Sequence, residues 1–307
     1  MKAIGIRQPE QRTELSLMDI SIPTIDDNEV LVRVHAAGVG SHDRWALPAN
    51  PRFPFAIGLE GAGVIVNVGS EVSDFAVGDR VMFSIMGQPK GGTWAEFAAV
   101  TAPALIAMPD DLTFTNAAAL PIAGKTALEG IKALNLPRDG TVLIAGASGA
   151  IGTLAIQLAA MRGYRIAASA SAKNHEFMRE LGAELTVDYR DSEWPQQVLR
   201  WIPGGIDATL AIQPGTGTAS VPAVKDGGKV VTISGDQVIT ERAITVEQIS
   251  HHPETQPELA QLAADVAAGR VQVVVECTYP LAEGAVALAK TETRHARGKV
   301  ILTIQEE

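Results

Sequence analysis

Two patterns of apolar and polar positions divide this chain. Up to about residue 122, short alternating or apolar runs at 29–35, 63–69 and 80–83 are separated by Pro, Gly, Asn and Asp, which predicts a β-rich domain with few long helices. Beyond that point the period changes. An apolar run over 142–145 follows Asp139-Gly140 and leads into glycines, after which Ile151, Leu154, Ala155, Leu158 and Ala159 recur at helical spacing. This reads as a strand, a glycine turn and a helix. The alternation continues with a strand at 165–169, a helix stopped by Leu181-Gly182, a strand at 186–188, a strand at 207–211, a helix near 219–224 and a strand at 229–233. Such alternation builds a parallel, doubly wound α/β sheet, with ligands beyond the carboxyl ends of its strands. The C-terminal pattern reads as a helix over 257–268 stopped by Gly269, a strand at 271–276, a helix at 281–289 and a strand at 299–304. Periodicity leaves open whether these extend the sheet or fold back onto the first domain.

The turn at Gly146, Gly149 and Gly152 approximates the dinucleotide fingerprint G-x-G-x-x-G, with Ala147 in place of its first glycine. Glycine permits the sharp turn and the close approach of a pyrophosphate to the N–H groups that open the helix, so Ser148, Gly149, Ala150 and Ile151 are candidate phosphate contacts. An NAD enzyme places a carboxylate about 20 residues further on to receive the ribose hydroxyl. Here Ser169, Ser171 and Lys173 offer hydroxyls and a cation, which attract a 2′-phosphate and favour NADP(H). Gln213, Ser234 and Gly235 end later strands on the ligand side, although Ser234 also suits an ordinary turn.

Composition narrows the classes. The 307 residues suffice for about two domains. A net charge of −10, from 25 basic and 35 acidic residues, argues against a general nucleic-acid surface. The lone Cys277 excludes an intrachain disulfide framework and is expected to be a buried, inert thiol. The first residues lack a signal-like apolar region and no run has the length of a membrane span, so no membrane partner and a cytoplasmic location are expected. Asp79 and Arg80 read as a surface pair.

Six segments occur in the order seen in medium-chain dehydrogenases and reductases: Gly58-Leu59-Glu60-Gly61-Ala62-Gly63-Val64, 77–81, 92–97, Ala117-Ala118-Ala119-Leu120-Pro121, the glycine turn at 146–152, and 298–302. The chain therefore resembles that superfamily, and its glycine turn is most similar to the zinc-independent quinone oxidoreductase branch. The resemblance implies an N-terminal GroES-like β-barrel domain at 1–122, an inserted Rossmann NADP-binding domain at 123–265, a C-terminal return to the first domain at 266–307, an active-site cleft between the domains, and a homodimer formed through the Rossmann domains. It also places Thr126 near the nicotinamide and Lys173 with Tyr189 on the 2′-phosphate, whereas Tyr189 could equally be ordinary packing and Arg190 a surface residue.

Zinc members of the superfamily carry a Gly-His-Glu segment and a cysteine ligand. The positions that resemble these ligands hold Leu59 and Gly40. A substitute set of His42, Asp43 and Glu60 is disfavoured because inert residues fill the ligand positions and the structural cysteines are absent as well, so no metal is expected. Without a Lewis acid, the easier hydride acceptor is a quinone or enone, which spreads the arriving charge through its own π-system. His42 lies two residues after Gly40, where zinc alcohol dehydrogenases carry their proton-relay hydroxyl, and is a candidate proton donor beside water. Asp43 matches a family aspartate that orients backbone or His42. Trp45 either floors a flat substrate or packs in the core. Glu60 needs a partner if buried, and Lys299 is a candidate. His251-His252 either borders the substrate entrance or is simply solvated. The expected activity is NADPH-dependent reduction of a small-molecule quinone or other α,β-unsaturated carbonyl. The rivals are an enoyl-thioester or alkenal double-bond reductase and a non-catalytic NADP(H)-binding redox sensor. Short-chain dehydrogenase chemistry is disfavoured, because none of Tyr164, Tyr189 and Tyr279 is followed four residues later by lysine.

Overall fold

The computed structural model describes residues 1–8, 10, 14–240 and 242–306. The chain divides into two compact units, Met1–Ile122 with Leu259–Glu307, and Ala123–Glu258.

In the second unit, six strands form one parallel sheet in the order Leu185–Val187, Arg165–Ser169, Thr141–Ala145, Ile206–Ala211, Val224–Thr232 and Thr245–Gln248. This is the doubly wound order, reversing direction beside the strand that enters the glycine turn. That strand is buried at all five positions because helices cover a parallel sheet on both faces, which is why it reads as an unbroken apolar run. Leu143, Ala167, Val187, Ala211 and Val230 belong to one core cluster. The helix expected near 219–224 is shorter and earlier. It spans Thr216–Ser220, passes into a tighter turn at Val221–Ala223 containing Pro222, and gives way to a strand at Val224, since proline cannot supply the N–H a continuing helix needs.

In the first unit, Val275–Pro280, Lys299–Thr303, Glu29–Val39, Glu60–Val68, Arg80–Ser84 and Leu105–Ala107 lie in that order, with Phe97–Thr101 also paired to Glu29–Val39. A second sheet joins Ser16–Asp19, Lys2–Ile6 and Phe55–Ala56. Val30, Val32, Val34, Ile65, Val81, Phe83 and Val100 fill the interior of the larger sheet. The C-terminal strand pairs antiparallel with Glu29–Val39, Val300 opposite Val39, so the last elements join this sheet and not the parallel one. The run read as a strand over 271–276 pairs only from Val275, while Val271 is a buried anchor in the preceding turn.

Arg80 does not pair with Asp79. It donates to the carbonyls of Asp110 at 2.6 Å and Leu112 at 2.7 Å and lies 4.6 Å over the Phe114 ring, while Asp79 accepts the Ala76 N–H at 2.8 Å. Cys277 is half-buried and not fully enclosed: it packs against the core cluster from the edge strand Val275–Pro280. Among the described residues, no helix is long and apolar enough to cross a membrane.

Candidate active site

The glycine turn is closed at both ends by necessity. Gly146 has φ +89°, a conformation costly for any residue with a Cβ. A Cβ at Gly152 would fall 2.5 Å from the Gly146 carbonyl oxygen, so only glycine lets the helix Ala150–Met161 start this tightly. At Gly149, by contrast, a Cβ would meet nothing nearer than 3.7 Å. Gly149 caps the helix without any side-chain hydrogen bond, and Ser148 to Ile151 are half-buried amid buried neighbours. An uncapped twelve-residue helix facing open space beside a glycine fits a pyrophosphate. Thr153, not anticipated from the pattern, is buried and donates to the carbonyls of Gly149 at 3.1 Å and Ala150 at 3.2 Å, bracing the turn.

The other predicted cofactor residues converge on the same carboxyl edge. The Ser169 carbonyl accepts the N–H groups of Gly146 and Ala147, and its side chain is buried, so its contribution to the turn is through backbone. Gln213 packs its Cγ against Gly146, close enough that a Cβ there would lie at 2.9 Å. Ser234 and Gly235 are exposed after the strand Val224–Thr232, and Asp236 next to them accepts the Gly215 N–H at 2.6 Å. Thr126 is buried in the first turn of the helix Ala123–Leu134.

Around the expected 2′-phosphate position, Ser171 accepts the Asn174 amide at 3.2 Å, and Lys173 is exposed. Tyr189 is 48% exposed, which excludes core packing. Arg190 lies 5.7 Å over the Tyr189 ring and pairs with Asp188 at 2.8 Å. Asp188 also accepts the Ala172 N–H at 3.1 Å, and the Arg190 hydrogen bond holds its carboxyl well below the usual carboxylate range. Sequence spacing missed Asp188 because it lies on a neighbouring strand end. The local charges of Lys173, Arg190 and Asp188 still sum to one positive.

In the first unit, the positions resembling zinc ligands are filled by other groups. The His42 ring occupies the space beside Gly40, where an added Cβ would lie 2.6 Å from its Cε1. Burial of the ring, then the Lys299 charge, push the His42 imidazole below its ordinary range. Asp43 is 2% exposed and accepts the Gly40 N–H at 2.7 Å, so it orients backbone; burial pushes its carboxyl up to about 7. Glu60 is buried too. One of its oxygens pairs with the buried Lys299, and the other accepts the Ile122 N–H at 2.7 Å. Trp45 is 70% exposed and is no part of the core. Among the described residues, no three His, Cys, Asp or Glu side chains are grouped to hold a metal ion.

The histidines read at 251–252 are tied to a carboxylate that the sequence did not single out. Glu129, on the helix that carries Thr126, is buried and receives His251 Nδ1 at 2.6 Å, the His252 N–H at 2.9 Å and the Thr255 hydroxyl at 3.0 Å. Its only local signal is a carboxylate three residues after Thr126 on an otherwise apolar face.

Residues 26–110 match the family described as alcohol dehydrogenase GroES-like domain, and residues 181–302 the family described as zinc-binding dehydrogenase. The chain is 30% identical to the chloroplast envelope quinone oxidoreductase homolog of Arabidopsis thaliana, over 94% of this chain and 93% of that protein. It is 31% identical to the chloroplastic NADPH-dependent alkenal/one oxidoreductase of the same plant, over 92% of this chain and 74% of that protein. The structure of the quinone oxidoreductase from Coxiella burnetii superposes with a TM-score of 0.88 at 27% identity, covering 99% of each chain.

Proposed function

The chain belongs to the medium-chain dehydrogenase/reductase superfamily, in its quinone oxidoreductase-like branch, and from that premise we propose that it reduces a quinone or other α,β-unsaturated carbonyl with NADPH and without zinc. Membership makes it an oxidoreductase that uses a nicotinamide cofactor on a small molecule. The observation that carries the finer reading is the contrast between an open dinucleotide turn and the donor set of the first unit. Gly40 and Leu59 offer no metal ligand, Glu60 is sealed by Lys299 and a backbone N–H, and Asp43 is buried against the Gly40 N–H. An acceptor must then delocalise its own charge, as quinones and enones do.

When bound, the nicotinamide supplies the hydride. The chain's residues do the rest. Ser148, Gly149, Ala150 and Ile151 hold the pyrophosphate at the open helix terminus, while Gln213, Ser234, Gly235 and Thr126 line the remaining length of the dinucleotide. Lys173, Ser171 and Tyr189 receive the 2′-phosphate, favoured by the net positive charge there. Trp45 presents an exposed indole face to a flat acceptor. A homodimer through the second unit accords with its fully exposed edge strand Thr245–Gln248. The similarity to an alkenal/one oxidoreductase supports alkenals as a second acceptor class.

The test is cofactor oxidation by metal-stripped protein across quinones, enones and alkenals. Preference for NADPH over NADH is expected to fall about tenfold or more in Lys173→Ala, the size of one charge-assisted hydrogen bond, with the NADH rate unchanged. Equal use of the two coenzymes, or activity only after zinc is restored, would overturn the reading. Tight NADPH binding without turnover would favour a redox sensor.

A further inference from the structure

The function derived above leaves the source of the proton unassigned beyond water and His42, and His42 suits the task poorly. Its imidazole is disfavoured in the charged form by burial and by Lys299, and its ring lies against Gly40. The Glu129 cluster in the second unit instead holds a ring that is anchored on one side and open on the other. Glu129 is a buried carboxylate, and among the described residues the one ionisable side chain bonded to it is His251. A carboxylate on one ring nitrogen of histidine fixes the tautomer and direction of the ring and leaves the other nitrogen for chemistry. Here Nδ1 is the engaged nitrogen, at 2.6 Å, and the His251 side chain is 53% exposed.

Its position in the fold is on the ligand side of the sheet. The Ile249 N–H bonds to the carbonyl of Thr232, the last residue of the strand Val224–Thr232, so 249–252 crosses the carboxyl edge. The far end of the Thr126 helix is tied further back on that strand, where Lys229 donates to the Ala133 carbonyl at 2.9 Å. The helix therefore runs antiparallel to the strands, with Thr126 and Glu129 toward the carboxyl edge. Three residues apart, they share one helix face. Thr255 and the His252 N–H saturate the second Glu129 oxygen, which holds the whole segment to this helix.

We propose that His251, oriented by Glu129, donates the proton that completes the reduction. The proposal rests on the reading of the chain as a hydride-transferring reductase of conjugated carbonyls. As hydride forms a C–H bond at the β-carbon, the electron pair of the C=C bond moves through the conjugated system to the carbonyl oxygen. The acting form is the imidazolium, protonated on both ring nitrogens: its Nε2–H bond then breaks as an O–H bond forms at that oxygen, and the ring is left neutral. Nδ1–H stays on Glu129, and the imidazole regains its proton from bulk water. No further oxidant or reductant is required.

The test uses the full chain, with His251→Gln, Glu129→Gln and His251→Ala compared with wild type on one quinone and one enone. The glutamine of the first variant can still donate to Glu129, so its melting temperature and its NADPH dissociation constant, read by fluorescence, are expected to match wild type within about twofold. Its kcat is expected to fall roughly 100-fold or more, the scale of general acid catalysis. Added imidazole is expected to restore activity to His251→Ala, which a purely structural role would not allow. In cofactor-free protein, the downfield Nδ1–H resonance of His251 is expected in wild type and lost in Glu129→Gln. Folded His251→Gln retaining wild-type kcat, absence of imidazole rescue, or loss of proton delivery in His42→Gln alone would overturn the proposal. Wild-type turnover in the same assay separates this from the functional reading: an inactive wild type counts against the reductase, an active wild type with equally active His251→Gln against His251 alone.

Discussion

Glu60 and Glu129 are both buried carboxylates, one in each unit, and they are answered in different ways. Glu60 meets Lys299, itself 5% exposed, so both charges are shut away from water. Glu129 meets a histidine with 53% of its side chain in the open. A closed pair can only hold elements together, here the strand Glu60–Val68, the C-terminal strand Lys299–Thr303 and the segment at Ile122. An open pair presents a ring nitrogen to whatever occupies the carboxyl edge of the sheet. Burial of a carboxylate thus says little about chemistry until the exposure of its partner is known.

The sharpest way to break the comparison is Lys299→Met. Removing one partner leaves Glu60 as an uncompensated buried charge, and a loss of about 3–5 kcal/mol in denaturant unfolding is expected, largely recovered in Glu60→Gln/Lys299→Met. Recovery would establish that the pair is structural. Next comes Asp43, beside the closed pair. Burial lifts its carboxyl from the ordinary 3.8 to about 7, so the folded chain retains a proton that the unfolded chain has already lost. Stability therefore falls as pH rises from about 4 to about 7 and stays at the lower level above that, by on the order of 4 kcal/mol. Asp43→Asn is expected to flatten that slope, measured as unfolding free energy at a series of pH values. Glu129→Gln is expected to cost less than the lysine variant, about 1–2 kcal/mol, because the amide oxygen can still accept from His252 and Thr255 and the half-exposed imidazole turns to water. Smallest of all, Trp45→Ala is expected to alter stability by under about 0.5 kcal/mol, since 70% of the residue is exposed, while raising KM for flat acceptors.

Much of the site was legible because it is local. The strand over 142–145, the turn at Gly146, Gly149 and Gly152, and the helix face behind Ile151 sit within twenty residues, and glycine at φ +89° or 2.5 Å from a carbonyl has no substitute. The absence of donors at Gly40 and Leu59 is equally a matter of residue identity. Lys299 could be named as a partner for Glu60 only because the C-terminal segment matched a known motif. Asp188 was missed because its strand comes later in the chain than the loop it braces.

What the sequence by itself determined is the alternation that makes the parallel sheet, the dinucleotide turn within it, and the identity of the residues at Gly40 and Leu59, because each depends on residue type and short-range spacing. Only the tertiary structure decided which buried carboxylates are closed and which are open. Glu60 and Lys299 are 239 residues apart, Glu129 and His251 122. No local periodicity spans such distances; the partners meet only when strand pairing and helix packing close the chain on itself.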